Sequence, residues 1–189
     1  TPKNLLDKSV DELAALKRAG LSLVYLGIES GATPILKKIR KGASQKTLAQ
    51  ALERAFEAGL KVSATVILGL GGRADWRQHI EGTAELVNQA PPTYLSTLEL
   101  GLEEGAAADF MAAQKAPFEF QDDAAILAEQ ALLLSLLEPS RPVIFRSNHA
   151  SNSLALAGNL PRDRERLLAE LGAAMAGAIP LRPRFLRGF

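Results

Sequence analysis

Cysteine is absent from the 189 residues. That excludes a disulfide framework and any thiolate metal site. Histidine is scarce as well: only His79 and His149 could supply imidazole, so the chain by itself is expected to hold no metal. Charge of one sign is missing too. A net charge of +1 creates no broad field for nucleic acid or an anionic membrane, and neither is expected as a partner. No apolar run approaches the ~20 residues that span a bilayer. No charged, apolar and small-residue signal opens the chain, which starts at Thr1 rather than methionine, so a fragment or processed form of a cytoplasmic protein is expected. The phosphate-loop pattern Gly-x-x-x-x-Gly-Lys-Ser/Thr is absent. What remains is a chain that is 47% hydrophobic, enough to bury a core in one domain or most of one.

Helix and strand signals alternate along it. Ser9 with Glu12 forms a capping-box pattern, and Gly20 supplies a stop. Ser22 to Ile28 lacks strict polar alternation, which suits a strand covered on both faces. Thr33 and Pro34 start a short basic helix ending near Gly42; Ser44 opens a longer one with Leu48, Ala51, Leu52, Ala55 and Phe56 at helical spacing. A second strand, Val62 to Leu68, opens into Gly69-Leu70-Gly71-Gly72. The next helix carries Trp76, Ile80, Thr83 and Val87 on one face and stops at Pro91 and Pro92. A third strand covers Tyr94 to Leu100. The segment 101–121 is too long for a bare connection and reads as lid-like, with a short helix around Ala106 to Gln114. A leucine-rich helix over 123–138, a strand over Val143 to Arg146, a polar turn from Ser147 to Asn159 and a helix over 162–175 complete residues 1–180. Residues 181–189 form a basic tail, expected to be a flexible, solvated terminus.

Strands alternating with helices at these spacings predict an α/β fold with parallel strands and outer helices, either an open doubly wound sheet or part of a (β/α) barrel. Both bind ligands at the carboxyl ends of the strands. The residues there are Glu29 and Ser30, Gly69 to Gly72, Glu99, and Arg146 to His149.

Gly27-Ile-Glu-Ser-Gly31, Leu36-Lys-Lys-Ile-Arg-Lys-Gly42, Val66-Ile-Leu-Gly-Leu-Gly-Gly72 and Tyr94-Leu-Ser-Thr-Leu98 resemble, in order and spacing, the second half of a radical S-adenosylmethionine (SAM) enzyme. Phe145-Arg-Ser-Asn-His-Ala-Ser-Asn152 and Leu160-Pro-Arg-Asp163 resemble a bacterial subgroup related to oxygen-independent coproporphyrinogen oxidase. The resemblance selects the partial (β/α) barrel, and it implies SAM and a 4Fe–4S cluster as cofactors. In that family the cluster cleaves SAM reductively to a 5′-deoxyadenosyl radical. The Cys-x-x-x-Cys-x-x-Cys loop that holds the cluster is absent here.

By the same resemblance, Glu29 occupies the place of the strand-end acid or amide that accepts hydrogen bonds from the ribose, or else it complements the following helix. Ser30 bonds ribose or caps. Lys41 falls where the family has a cation for the methionine carboxylate, or it belongs to a solvated basic helix end. Thr65 stands where relatives carry aspartate for the ribose, and Ile67, Leu68 and Gly69 match the adenine-contacting strand. Glu99, Arg146 and Asn148 are expected on the substrate side. His149 reads more simply as a hydrogen-bonded loop residue. Glu104-Gly105-Ala106 departs from the Pro-Gly-Thr of relatives.

The expected function is thus the C-terminal portion of a radical SAM oxidoreductase, with an unknown substrate and silent on its own. The alternatives are a cluster-free binding or scaffold module of the same fold, and an ordinary barrel enzyme cradling phosphate on Gly69 to Gly72 beside Arg73. Exposed barrel edges suggest self-association.

Overall fold

Ser9 and Glu12 make the predicted capping box: the Ser9 hydroxyl accepts from the Glu12 amide at 3.2 Å and the Glu12 carboxylate accepts from the Ser9 amide at 2.7 Å. The reciprocal bonds satisfy two helix-end donors. The computed structural model describes residues 1–102, 104–114 and 117–188. Within it α1 (Pro2–Leu6) and α2 (Val10–Arg18) lead into β1 (Leu23–Glu29), followed by α3 (Thr33–Lys38) and α4 (Gln45–Glu57). Then come β2 (Lys61–Leu68), α5 (Gly72–Gln89), β3 (Tyr94–Glu99), α6 (Glu104–Ala113) and α7 (Asp123–Leu136). The chain ends with β4 (Val143–Ser147), β5 (Leu156–Leu160) and α8 (Arg164–Met175).

The five strands lie in sequence order, β1-β2-β3-β4-β5, and the first four are parallel. Nowhere among these strands does the order reverse. A doubly wound sheet needs a reversal to place helices on both faces, whereas an unreversed run of βα units curls toward a barrel. The topology therefore decides between the two architectures that the periodicity left open.

β5 corrects the sequence reading, which placed residues 147–159 in a polar turn. It runs antiparallel to β4, with Leu156, Gly158 and Leu160 inward and Ala157 and Asn159 outward. Small residues hid its period-two pattern.

The sheet has two unlike faces. One carries Val62, Ala64, Val66, Leu68, Leu95 and Phe145 against α4, α5 and α7, whose Leu52, Ile80 and Leu133 are fully or almost fully buried. The other face is half-covered, and its rows follow from the parallel register. Tyr25, Ser63, Tyr94 and Ile144 align; above them lie Gly27, Thr65, Ser96 and Arg146; Ile67 and Leu98 pair nearest the carboxyl ends. Within the described residues β1 pairs with β2 alone, and Tyr25 is 79% exposed.

Behind the β1 tip the backbone meets α5 directly. A Cβ on Gly31 would lie 2.1 Å from the Gly82 carbonyl oxygen. Only glycine permits that approach, which draws the end of β1 onto the helix following β2.

The basic tail is exposed over Pro183 to Leu186 but is fastened at two arginines, where a flexible terminus was expected. Arg182 donates from its backbone to the Ser153 carbonyl at 2.7 Å and from its guanidinium to the carbonyls of His149 and Ala150. Arg187 is only 3% exposed, held between Asp123 and Glu99. Composition showed the cations but not the carboxylates that tertiary folding brings to them. Phe189, and residues 103, 115 and 116 of the lid-like segment, lie outside the described residues.

Candidate functional site

The carboxyl ends of β1, β2 and β3 surround a cavity of about 290 Å³. Its walls are apolar, from Ile67, Leu98 and Leu100 on the strand tips, Ile39 after α3, Leu70 after β2, and Phe110 on α6. Phe110 stacks edge-to-face on Phe118, which in turn meets Phe120, so α6 borders the cavity through an aromatic side chain that is itself packed. Polar groups reach it from Glu29, Glu99, His149 and Ser151.

Glu29 sits there through an unusual backbone. The β1–β2 register shifts between Gly27 and Glu29, and Glu29 has φ of 60°. A non-glycine residue in that region carries strain and is found where the surroundings impose it. The carboxylate folds back over Gly27, where an added Cβ would lie 2.0 Å from Glu29 Oε1. Lys41 donates to the same Oε1 at 2.8 Å, and both side chains are mostly covered. Thus the structure brings Glu29 and Lys41 together at the lip. Gly27→Ala is expected to push the carboxylate off Lys41 while leaving the fold intact, since the clash falls on a side chain. A crystal structure of the variant that retains the 2.8 Å pair would contradict this.

Ser30 points elsewhere. It is fully buried; its hydroxyl accepts from the Ala32 amide at 3.0 Å and lies 2.8 Å from His79 Nδ1. The other imidazole nitrogen donates to the Ile67 carbonyl at 3.0 Å, which assigns Nδ1 as the acceptor from Ser30. Burial drives His79 down to about 4, against the Ile67 bond, so the ring is neutral. Thr83 completes the shell by accepting from the Gly31 amide at 2.9 Å and donating to the His79 carbonyl at 2.6 Å. Opposite, Glu129 of α7 accepts from the Gly69 amide at 2.8 Å, with Oε1 3.6 Å from His79 Nε2. Burial raises its carboxyl to about 7, although the Gly69 amide acts in the other direction. The tips of β1 and β2 are therefore tied by two buried helix side chains that the sequence reading did not select. The signal for His79 was its place on the inward face of α5, four residues before Thr83. Glu129 carried none beyond a charge inside a leucine-rich stretch.

Other expected residues separate. Leu68 faces the core at full burial, leaving Ile67 as the cavity side of that strand. Thr65 and Arg146 share a lower row of the half-covered face, where the Arg146 guanidinium donates to the Phe145 carbonyl. Asn148 is exposed. Glu99 reaches the cavity wall with its carboxylate engaged: Oε1 accepts from the Ser153 amide and hydroxyl, each at 2.6 Å, and Oε2 from Arg187 at 3.2 Å. Asn152, fully enclosed, clasps this region by accepting from the Glu99 amide at 2.9 Å and donating to the Thr97 carbonyl at 2.8 Å.

Three donors that a phosphate cradle could use are occupied. Glu129 takes the Gly69 amide, Gly69 the Gly72 amide, and Asp122 the Arg73 guanidinium at 2.7 Å. Among the described residues no three His, Cys, Asp or Glu side chains gather in a way that could hold a metal, and no helix is long and apolar enough to cross a membrane.

Parallel strands in unreversed order, with a cavity at their carboxyl ends, define the chain as an α/β protein of the partial (β/α) barrel type. Residues 1–87 match the family model of the radical SAM superfamily. Among the curated proteins none matches.

Proposed function

We propose that this chain forms the ribose and adenine side of a SAM site in a radical SAM oxidoreductase. The observation that supports it most is the strained Glu29, locked to Lys41 at the lip of an apolar cavity, within the segment that matches the superfamily. The residues fit the nucleoside part of SAM. Glu29 Oε2 has no partner among the described hydrogen bonds while Oε1 is already oriented by Lys41, which makes it a suitable acceptor for ribose hydroxyls. Lys41 offers a fixed cation to a carboxylate. Ile67 and Leu98 present an apolar surface to an aromatic base. Ser30 acts from behind, through His79, as a positioning residue for the tip of β1.

The same residues do not fit an iron–sulfur cluster, because its thiolate ligands are absent from the chain. On this reading they come from polypeptide outside these 189 residues, and the chain alone is silent. Radical generation belongs to the cofactors; these residues bind, orient and exclude water. Affiliation with the subgroup related to oxygen-independent coproporphyrinogen oxidase is part of the proposal. It draws on the Phe145–Asn152 stretch, of which His149 and Ser151 line the cavity.

Titration with SAM tests the reading. Binding is expected to the intact chain, and Glu29→Ala should weaken it by roughly 10-fold or more, as loss of charge-assisted hydrogen bonds implies. No binding at millimolar SAM, or equal binding by the variant, would overturn it. The absence of cysteine favours a second reading, a cluster-free binding module of the same fold. Sequencing the reading frame around these residues decides: a Cys-x-x-x-Cys-x-x-Cys loop supports the enzyme, and its absence supports the module.

A further inference from the structure

The half-covered face of the sheet carries a polar row just below the cavity. Gly27 on β1, Thr65 on β2, Ser96 on β3 and Arg146 on β4 stand in register across four strands. They share one side of the sheet, because the residues that alternate with them, Leu26, Ala64, Leu95 and Phe145, are buried on the other. The next pair toward the carboxyl ends is Ile67 and Leu98, and both line the cavity. A Cβ on Gly27 would meet Glu29 Oε1 at 2.0 Å and Lys41 Nζ at 3.2 Å, so the Glu29–Lys41 pair stands over one end of the row. Arg146 occupies the other end, three strand spacings or roughly 14 Å away.

The charges at the two ends are met differently. Glu29 and Lys41 neutralise each other at 2.8 Å. Arg146 is half-buried and forms no ion pair among the described residues; its guanidinium donates at 2.9 Å to the Phe145 carbonyl, which carries no charge. Its partners in register are Ser96 on one side and Ala157 on the other, and no described hydrogen bond engages the hydroxyl of Ser96 or of Thr65. A guanidinium presents its N–H groups as a planar fork that fits the two oxygens of a carboxylate. One cation with hydroxyl donors beside it balances a monoanion better than a phosphate dianion.

We propose that Arg146, with the Ser96 hydroxyl beside it, binds the carboxylate of a substrate whose apolar body lies against Ile67 and Leu98. The proposal rests on the preceding reading only in taking the carboxyl ends of the strands as a ligand site. It gives that site a second ligand, an organic carboxylic acid, held at the end of the row remote from Glu29 and Lys41.

Hexanoate and hexanamide test it, since they match in length and shape and differ in charge. Affinities for both are measured by NMR titration of the intact chain, Arg146→Ala, Arg146→Lys and Lys41→Ala. The intact chain should prefer the acid, and the preference should fall by roughly 10- to 100-fold in Arg146→Ala, the range of hydrogen bonds to a charged group. Arg146→Lys keeps the charge without the fork and should restore part of it. Lys41→Ala should leave it in place. Equal affinities for acid and amide in the intact chain overturn the proposal, as do an unchanged preference in Arg146→Ala, a preference lost in Lys41→Ala, and failure of both probes to bind. SAM keeps the two readings separable: its affinity should fall in Glu29→Ala and hold in Arg146→Ala. Loss of SAM binding in Arg146→Ala would assign the arginine to SAM and overturn the proposal, whereas no SAM binding beside an intact acid preference overturns the preceding reading alone.

Discussion

Arg187→Ala should cost the fold on the order of 3–5 kcal/mol, the usual loss when one member of a buried ionic cluster is removed. Arg187 is almost wholly buried, donating to both Asp123 oxygens at 2.8 and 2.6 Å and to Glu99 at 3.2 Å. Its removal leaves the buried Glu99 charge without a cation. It also frees the chain after Arg182, because Arg187 is what ties the end of the tail to α7 and β3. Denaturant midpoints should fall, and limited proteolysis should begin within residues 182–188. The double variant Arg187→Met with Glu99→Gln should recover part of the loss, because the uncompensated charge is then gone. A midpoint within 0.5 kcal/mol (about the usual effect of a surface substitution) would show that the tail is ornamental. The arginine also holds the Asp123 carboxyl below its ordinary value. That contribution is present above the unfolded-state pKa and is lost as pH falls through the folded one, so the tail should loosen first in acid.

The second large effect concerns Glu129 and His79. Both are fully buried, and their titrations move in opposite directions, Glu129 from 4.5 to about 7 and His79 from 6.5 to about 4. Each displacement is worth ~3 kcal/mol. Folded Glu129 binds more protons than unfolded between about 4.5 and 7, so it makes stability fall with rising pH in that window. Folded His79 binds fewer between about 4 and 6.5, so it makes stability rise. Over the shared window the two slopes cancel in the wild type. Glu129→Gln should unmask the histidine, giving stability that climbs by ~3 kcal/mol from pH 4 to 6.5 and then levels.

The same variant should be more stable than wild type at pH 8 by ~1–3 kcal/mol, for a reason visible in the hydrogen bonding. Glu129 Oε2 and Gln121 Oε1 are buried oxygens with no hydrogen-bond partner among the described residues, although the Gln121 amide, turned over, can donate to Glu129. A proton on Glu129, or the amide of a glutamine in its place, donates to Gln121 Oε1 as it stands and removes the buried charge. Glutamine also still accepts the Gly69 amide. Chemical denaturation at intervals from pH 4 to 8 checks both effects; parallel curves for wild type and variant would mean that Glu129 carries its charge throughout.

Much of the site was legible locally. The β1 tip at Glu29 and the glycines after β2 announced themselves by an apolar run ending in polar or flexible residues, and a parallel α/β arrangement carries such tips to one rim. Lys41 lies against Glu29 at the same rim. Leu68, by contrast, was read with Ile67 as one strand surface, although alternation sends adjacent side chains to opposite faces. Ser30 could not be distinguished as ligand-facing or inward, because its partner His79 is 49 residues away. Glu99 resembled a free acid until Arg187, 88 residues later, closed on it.

What the chain's own order of residues determined was the periodic part: caps, helix faces, the four parallel strands and the end of the sheet at which the cavity lies. These depend on neighbours within a few positions, where propensity, capping and alternation act. Tertiary structure alone decided which polar groups remain available to a ligand. It consumed Ser30, Gly69 and Glu99 in contacts spanning 49 to 88 residues and left Glu29 lining the cavity. Hydrogen-bond capacity is used up by whatever folding places within about 3 Å, and that proximity is a property of packing, not of sequence spacing.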